Sequence, residues 1–123
     1  MELYDLVGSN DLRFSPFCWR AKAVLAYKNI PYTTVPVRYC DKDKIAFSGQ
    51  GAVPVLRDEG TAVHDSWAIA VYLEGKQPEP HLFPGPGLKE ACRLFNLYVD
   101  HTLNPAIARV IVNDIYAIVD PAD

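Results

Sequence analysis

The sequence predicts an α/β fold: a strand–helix unit of order βαβαββα, a linker, and then helices. Three observations carry this. Over residues 2–75, short β-type runs alternate with runs at helical spacing. Residues 76–87 (KQPEPHLFPGPG) then contain four prolines and two glycines, the strongest break in the chain. Beyond that break the apolar residues recur at helical spacing only.

Residues 2–7 (ELYDLV) read as the first strand, and 8–14 as a polar loop. Ser15-Pro16 opens a helix, because serine favours the N-cap and proline the first helical position. Its apolar positions include Phe17, Ala21, Val24 and Leu25, and Asn29-Ile30-Pro31 stops it. Residues 32–37 (YTTVPV) read as a second strand, which Pro36 confines to an edge. Residues 41–47 predict a short exposed helix and 48–51 a loop. A hairpin follows over 53–63, turning at Asp58-Glu59-Gly60. Asp65-Ser66 starts the helix 66–75. After the linker, Leu88, Ala91, Cys92, Phe95, Tyr98, Val99 and Leu103 form one apolar face. Asn104-Pro105 kinks that helix or separates it from a further helical stretch, 106–119. Asp120-Pro121-Ala122-Asp123 reads as another helix start with no helix after it. The chain is therefore expected to be a fragment, whose last two helical stretches need further partners.

Bulk properties narrow the function. The 123 residues are half hydrophobic and 22% charged, with a formal net charge of −3, ordinary values for a soluble globular chain. No Lys/Arg-rich run marks a nucleic-acid partner. No stretch approaches a membrane span, so no membrane partner is expected. The start, Met1 to Asp5, has neither the basic residues nor the apolar run of a signal peptide. Three widely spaced cysteines argue for reduced thiols and a cytoplasmic location rather than a disulfide framework. No metal-ligand spacing occurs, so no metal is expected.

Three places carry candidate chemistry. Ser15-Pro16-Phe17-Cys18 lies at a helix N-terminus after the first strand, where thioredoxin-like proteins carry Cys-x-x-Cys. Free backbone N–H groups and a partial positive charge there favour a thiolate. Ser15 cannot supply one, but its hydroxyl can donate to a thiolate brought by a ligand. Alone, Ser15 reads more simply as a cap. Val53-Pro54 opens a strand before the hairpin. A cis bond there exposes the Val53 N–H and C=O to an extended peptide; an ordinary trans edge proline is the plainer alternative. Asp65-Ser66 combines a helix N-terminus, suited to a carboxylate, with an acid suited to an ammonium group. Alone, Asp65 is a cap.

The order and spacing of these sites are specific together. Residues 1–75 resemble the glutathione-binding domain of cytosolic glutathione transferases. The stretches DLVGSNDLRFSPFCWR, DKIAFSGQGAVPVL and HDSWAIAVYLE are most similar to the fungal etherase-related class, a serine type akin to the bacterial β-etherases. The resemblance implies a thioredoxin-like domain over 1–76, a linker over 77–87 and an incomplete, truncated all-α domain over 88–123. It implies that Ser15 stabilises the glutathione thiolate, that Val53 pairs through its backbone beside a cis Pro54, and that Asp65 and Ser66 hold the γ-glutamyl end. Gln50 is the chosen donor to the glycine carboxylate, ahead of Lys42 or Lys44. Phe14, Phe17 and Trp19 are candidates beside the second substrate, or core.

The implied activity is attack of the glutathione sulfur on a small hydrophobic or aromatic electrophile, aryl ethers included. Glutathione is a co-substrate, and a homodimer is expected of the full-length protein. Two rivals stand beside it: a non-catalytic ligand-binding protein, and a glutathione-dependent disulfide reductase using Cys18. Cys18, one turn into the first helix, reads more simply as a buried, inert thiol.

Overall fold

A computed structural model of the chain describes residues 1–119 together with Pro121 and Asp123. The helix start expected at 120–123 involves Asp120 and Ala122, which lie outside the described residues.

Four strands, β1 (Glu2–Leu6), β2 (Thr33–Val37), β3 (Val55–Asp58) and β4 (Thr61–His64), form one sheet in the order β2-β1-β3-β4. β1 pairs parallel with β2, while β3 runs antiparallel to both β1 and β4. β2 is an edge, as Pro36 requires. Helix α1 (Pro16–Tyr27) crosses between the parallel strands, and α2 (Ser66–Lys76) follows the hairpin. The architecture is thioredoxin-like, with a helical region after it.

Alternation along β1 serves two cores. Leu3, with Leu56, packs against Ala21 and Leu25 of α1 and Ile69 and Leu73 of α2. On the other face Tyr4, Val37 and Val55 pack with Ile45. Ile45 belongs to a 3₁₀ segment, Lys42–Ser48, where a short exposed helix was expected. Its burial gives that segment a structural duty on the second face.

Helix α1 ends at Tyr27 with Lys28 as its C-cap, and the next residue, Asn29, with a φ of 52°, takes the left-handed conformation that asparagine tolerates. Lys28 itself is fully buried. Its ammonium donates to the carbonyls of Gln77 and Pro80 at 2.7 and 2.9 Å and pairs with Glu74 at 2.5 Å. One lysine thereby pins the proline-rich stretch after α2.

Helices α3 (Leu88–Tyr98) and α4 (Asn104–Ile118) are joined by a π-helical turn, Val99–Leu103. Asn104 N–H bonds Val99 C=O, one residue further back than in an α-helix. Pro105 has no N–H for the carbonyl one turn behind it, and the widened turn absorbs the mismatch. Leu94, Val110 and Tyr116 are strongly exposed along these helices. Among the described residues, no helix is long and apolar enough to cross a membrane.

Candidate functional site

Ser15 is the N-cap of α1 and is buried. Its hydroxyl oxygen accepts from the Cys18 N–H at 3.3 Å, and its hydrogen, which faces the weakly accepting Cys18 sulfur, remains the group that can donate to a stronger acceptor brought by a ligand. The side chain borders a cavity of about 650 Å³ between the sheet and α4. Phe14, Phe17, Tyr39 and Val53 line one side, and Ile107, Ile111 and Ile115 of α4 line the other. The α4 residues recur every four positions, one face of a helix. The wall is predominantly apolar, with Asp100, Asn104 and Lys42 among its polar members.

Val53-Pro54 lies just ahead of β3 rather than inside it, because the strand begins at Val55. The peptide bond is cis. The Val53 backbone makes no hydrogen bond among the described residues, so both groups can serve an extended ligand.

Asp65 caps α2 through one carboxylate oxygen, which accepts the Trp67 and Ala68 N–H groups, both at 3.0 Å. Its φ of 71° is unusual for a residue with a side chain and costs about 1–3 kcal/mol. Ser66 is buried. Its oxygen accepts from Arg20 at 3.0 Å, and Arg20 pairs with Asp100 at 2.8 Å. Asp100 also accepts from the Asn96 side chain at 2.7 Å. Arg20 thus joins α1, α2 and the π-helical turn.

The structure brings Ser15 and Val53 to one cavity, while Asp65 caps α2 and Ser66 is its first residue. Gln50 is spent on its own loop: its side-chain amide accepts from Ala52 N–H at 2.8 Å and donates to the Ala52 carbonyl. Lys42 and Arg38 are cations at the cavity wall, and the Lys42 ammonium lies 2.7 Å from the Gly51 carbonyl. Phe14 and Phe17 face the cavity, but Trp19 does not line it. Its indole N–H donates to the Arg13 carbonyl at 2.7 Å. Arg20 and Asp100 had no motif to betray them, since they are 80 residues apart in sequence.

Cys18 is fully buried. Burial pushes its thiol up to about 11, against hydrogen bonds from Ser15 and the Leu6 backbone that act to lower it. The exposed thiolate that a disulfide reductase needs is absent at this position. Cys40 and Cys92 are free and exposed. Among the described residues no cluster of three or more histidine, cysteine or acidic side chains forms a metal site.

A family model, the N-terminal domain of glutathione S-transferases, matches residues 11–81. Glutathione S-transferase Z1 of Arabidopsis thaliana is 37% identical over 70 residues, covering 53% of this chain and 32% of that protein. Glutathione transferase GSTFuA2 from Phanerochaete chrysosporium superposes with a TM-score of 0.88 at 26% identity, covering 98% of this chain and 56% of the other. A glutathione S-transferase of Ceriporiopsis subvermispora, solved in complex with glutathione, gives 0.85 at 26% identity over 98% of this chain and 54% of its own. The chain thus spans about a third of the curated relative and about half of each solved one. With more than half of its residues matched by the family model, on a thioredoxin-like sheet, the chain belongs to the glutathione S-transferase N-terminal domain family.

Proposed function

We propose that this chain is the glutathione-activating part of a serine-type glutathione transferase. The observation that carries the reading is Ser15, buried at the N-terminus of α1 on the wall of an apolar cavity. The bound thiol gives its proton to solvent water beside the helix N-terminus, and the resulting thiolate accepts a hydrogen bond from the Ser15 hydroxyl. Lowering a thiol pKa by about 2 units corresponds to roughly 2.7 kcal/mol. A helix terminus contributes about 0.3–2 kcal/mol, and a hydrogen bond to a charged group about 1.5–3 kcal/mol. The two together suffice without a protein thiolate.

The remaining groups fit the rest of glutathione. The unpaired Val53 backbone suits the cysteinyl peptide unit, and the free Asp65 oxygen suits the γ-glutamyl ammonium. Ser66 keeps its hydroxyl hydrogen for the γ-glutamyl carboxylate, and Lys42 replaces Gln50 as the preferred partner of the glycine carboxylate. The strained Asp65 backbone supports a functional rather than a purely capping role.

The apolar wall of α4, opposite Phe14 and Phe17, suits an aromatic or hydrophobic electrophile. We assign the chain to the etherase-like class, a reading supported by the likeness to two fungal glutathione transferases over nearly its whole length. The division into a domain over 1–76, a linker over 77–87 and helices from 88 belongs to the same proposal, as do cytoplasmic location and a homodimer at full length. The test is turnover with aryl ethers and an aromatic halide against a glutathione-free control. Glutathione-dependent cleavage or conjugation is expected. Binding of the aromatic compounds with no turnover favours the ligand-binding alternative, to which the same apolar cavity lends itself.

A further inference from the structure

We propose that Asp5, Arg13, Trp19 and Lys22 form a closed ring of contacts that positions Ser15; the inference rests on the reading of Ser15 as the thiol activator. Asp5, on β1, is fully buried. One of its carboxylate oxygens pairs with Arg13 at 3.0 Å and with Lys22 at 2.5 Å. The Trp19 indole N–H donates to the Arg13 carbonyl at 2.7 Å. The Lys22 ammonium lies 4.4 Å from the centre of the Trp19 ring and so closes the circuit back to Asp5. Arg13 stands before Ser15 in the loop, and Trp19 and Lys22 stand after it on α1. The ring therefore spans the loop-to-helix junction and fixes both of its sides to the sheet.

Stability alone does not explain this arrangement. Replacing a buried ion pair by apolar residues is often neutral or favourable. The second Asp5 oxygen is buried with no conventional hydrogen-bond donor among the described residues and only the weakly donating Cys18 thiol beside the carboxylate, a further destabilising feature. What the ring supplies is rigidity at a junction where a loop would leave Ser15 mobile, and a catalytic hydroxyl must be held to within about 0.5 Å. Trp19, half exposed yet bonded to backbone on one side and stacked by a cation on the other, acts through Ser15 and not on the second substrate.

The test titrates the thiolate absorbance of glutathione bound to the protein and measures kcat and glutathione KM. Asp5 variants risk misfolding, so the variants are Trp19→Phe, Lys22→Met and Lys22→Arg. Trp19→Phe removes the N–H but keeps a ring under Lys22. Expected are a rise of about half a pKa unit or more in the bound thiol for Trp19→Phe and Lys22→Met, a lower kcat near neutral pH, and a KM within about twofold. Lys22→Arg should restore the parent profile. In a Ser15→Ala background, Trp19→Phe should add nothing, the non-additivity of residues acting as one unit. An unchanged thiol pKa in Trp19→Phe and Lys22→Met, or an equal shift with and without Ser15, overturns the ring while leaving Ser15 in place. A Ser15→Ala variant whose own thiol pKa is unchanged overturns the reading of Ser15 and the ring with it.

Discussion

Arg20 and Asp100 meet through two contacts, at 2.8 and 3.3 Å, that tie the first helix to the π-helical turn 80 residues later. The same guanidinium reaches Ser66 at 3.0 Å, so Asp100 governs how Arg20 is presented to the start of α2. Asp100→Ala leaves a partly buried arginine without its carboxylate and Asn96 without its acceptor. The expected loss is about 1–3 kcal/mol of stability. Glutathione KM should rise as well, because Arg20, the donor to Ser66, loses the carboxylate that orients it. Thermal melts and KM on the same preparation check both effects.

Asp65 separates capping from ligand binding. Asparagine caps a helix about as well as aspartate, so Asp65→Asn should melt within a few degrees of the parent. It removes the charge proposed to hold an ammonium group. A charge-assisted bond of about 1.5–3 kcal/mol corresponds to a rise in glutathione KM of roughly 10- to 100-fold. A KM equal to the parent's would leave Asp65 as a cap only.

Gly8 is required by a close approach. A Cβ at this position would lie 2.2 Å from the Ile118 carbonyl oxygen and 3.0 Å from the Phe14 ring. Backbone cannot yield as a flexible side chain does, and Ser9 donates to the neighbouring Val119 carbonyl at 3.0 Å. Gly8→Ala should push the end of α4 away from the cavity, at a cost of about 1–3 kcal/mol. Affinity for an aromatic ligand should fall while glutathione affinity holds. Isothermal titration with each ligand separates the two.

Cys18 should be the slowest of the three cysteines to react. At pH 8, iodoacetamide should label Cys40 and Cys92 in the folded protein and Cys18 only after unfolding, as read by peptide mass spectrometry. Its thiol, raised by burial to about 11, lies above the ordinary value of about 8.5. The folded state therefore favours the protonated form. That contribution is complete below about pH 8.5 and is lost as pH rises towards 11. Cys18→Ala should flatten the alkaline decline in melting temperature. Rapid labelling of native Cys18 would revive the disulfide-reductase rival.

The fold was legible where one local signal dominated. Ser15-Pro16 placed the start of α1, Asn29 its end, and Pro36 the edge strand. Ile45 was missed because a 3₁₀ turn lacks the periodicity that marks longer elements, and the π turn before Pro105 has no signature beyond a proline. Ser15, Val53, Asp65 and Ser66 could be singled out because each sits beside a helix start or a strand start. Gln50 is the donor the sequence reading chooses for the glycine carboxylate, yet its own loop consumes its amide, a local competition that composition does not reveal. Arg20 with Asp100, and Lys28 with the Gln77 and Pro80 carbonyls, depend on long-range packing of ordinary charged residues. The same holds for Trp19, which the family resemblance groups with Phe14 and Phe17 but which does not line the cavity.

The central claim is that the Ser15 hydroxyl stabilises a ligand thiolate. The most direct measurement is the thiolate absorbance of bound glutathione against pH, in the parent protein and in Ser15→Ala. The fold should survive with at most the ~0.5–2 kcal/mol loss of a cap, and glutathione should still bind. A bound thiol about 2 units below the free one is expected in the parent, with a clear rise, by about one unit or more, in the variant. The helix N-terminus still contributes in that variant, so activity lost near neutral pH should return in part at alkaline pH. Identical titration curves for the two proteins would contradict it.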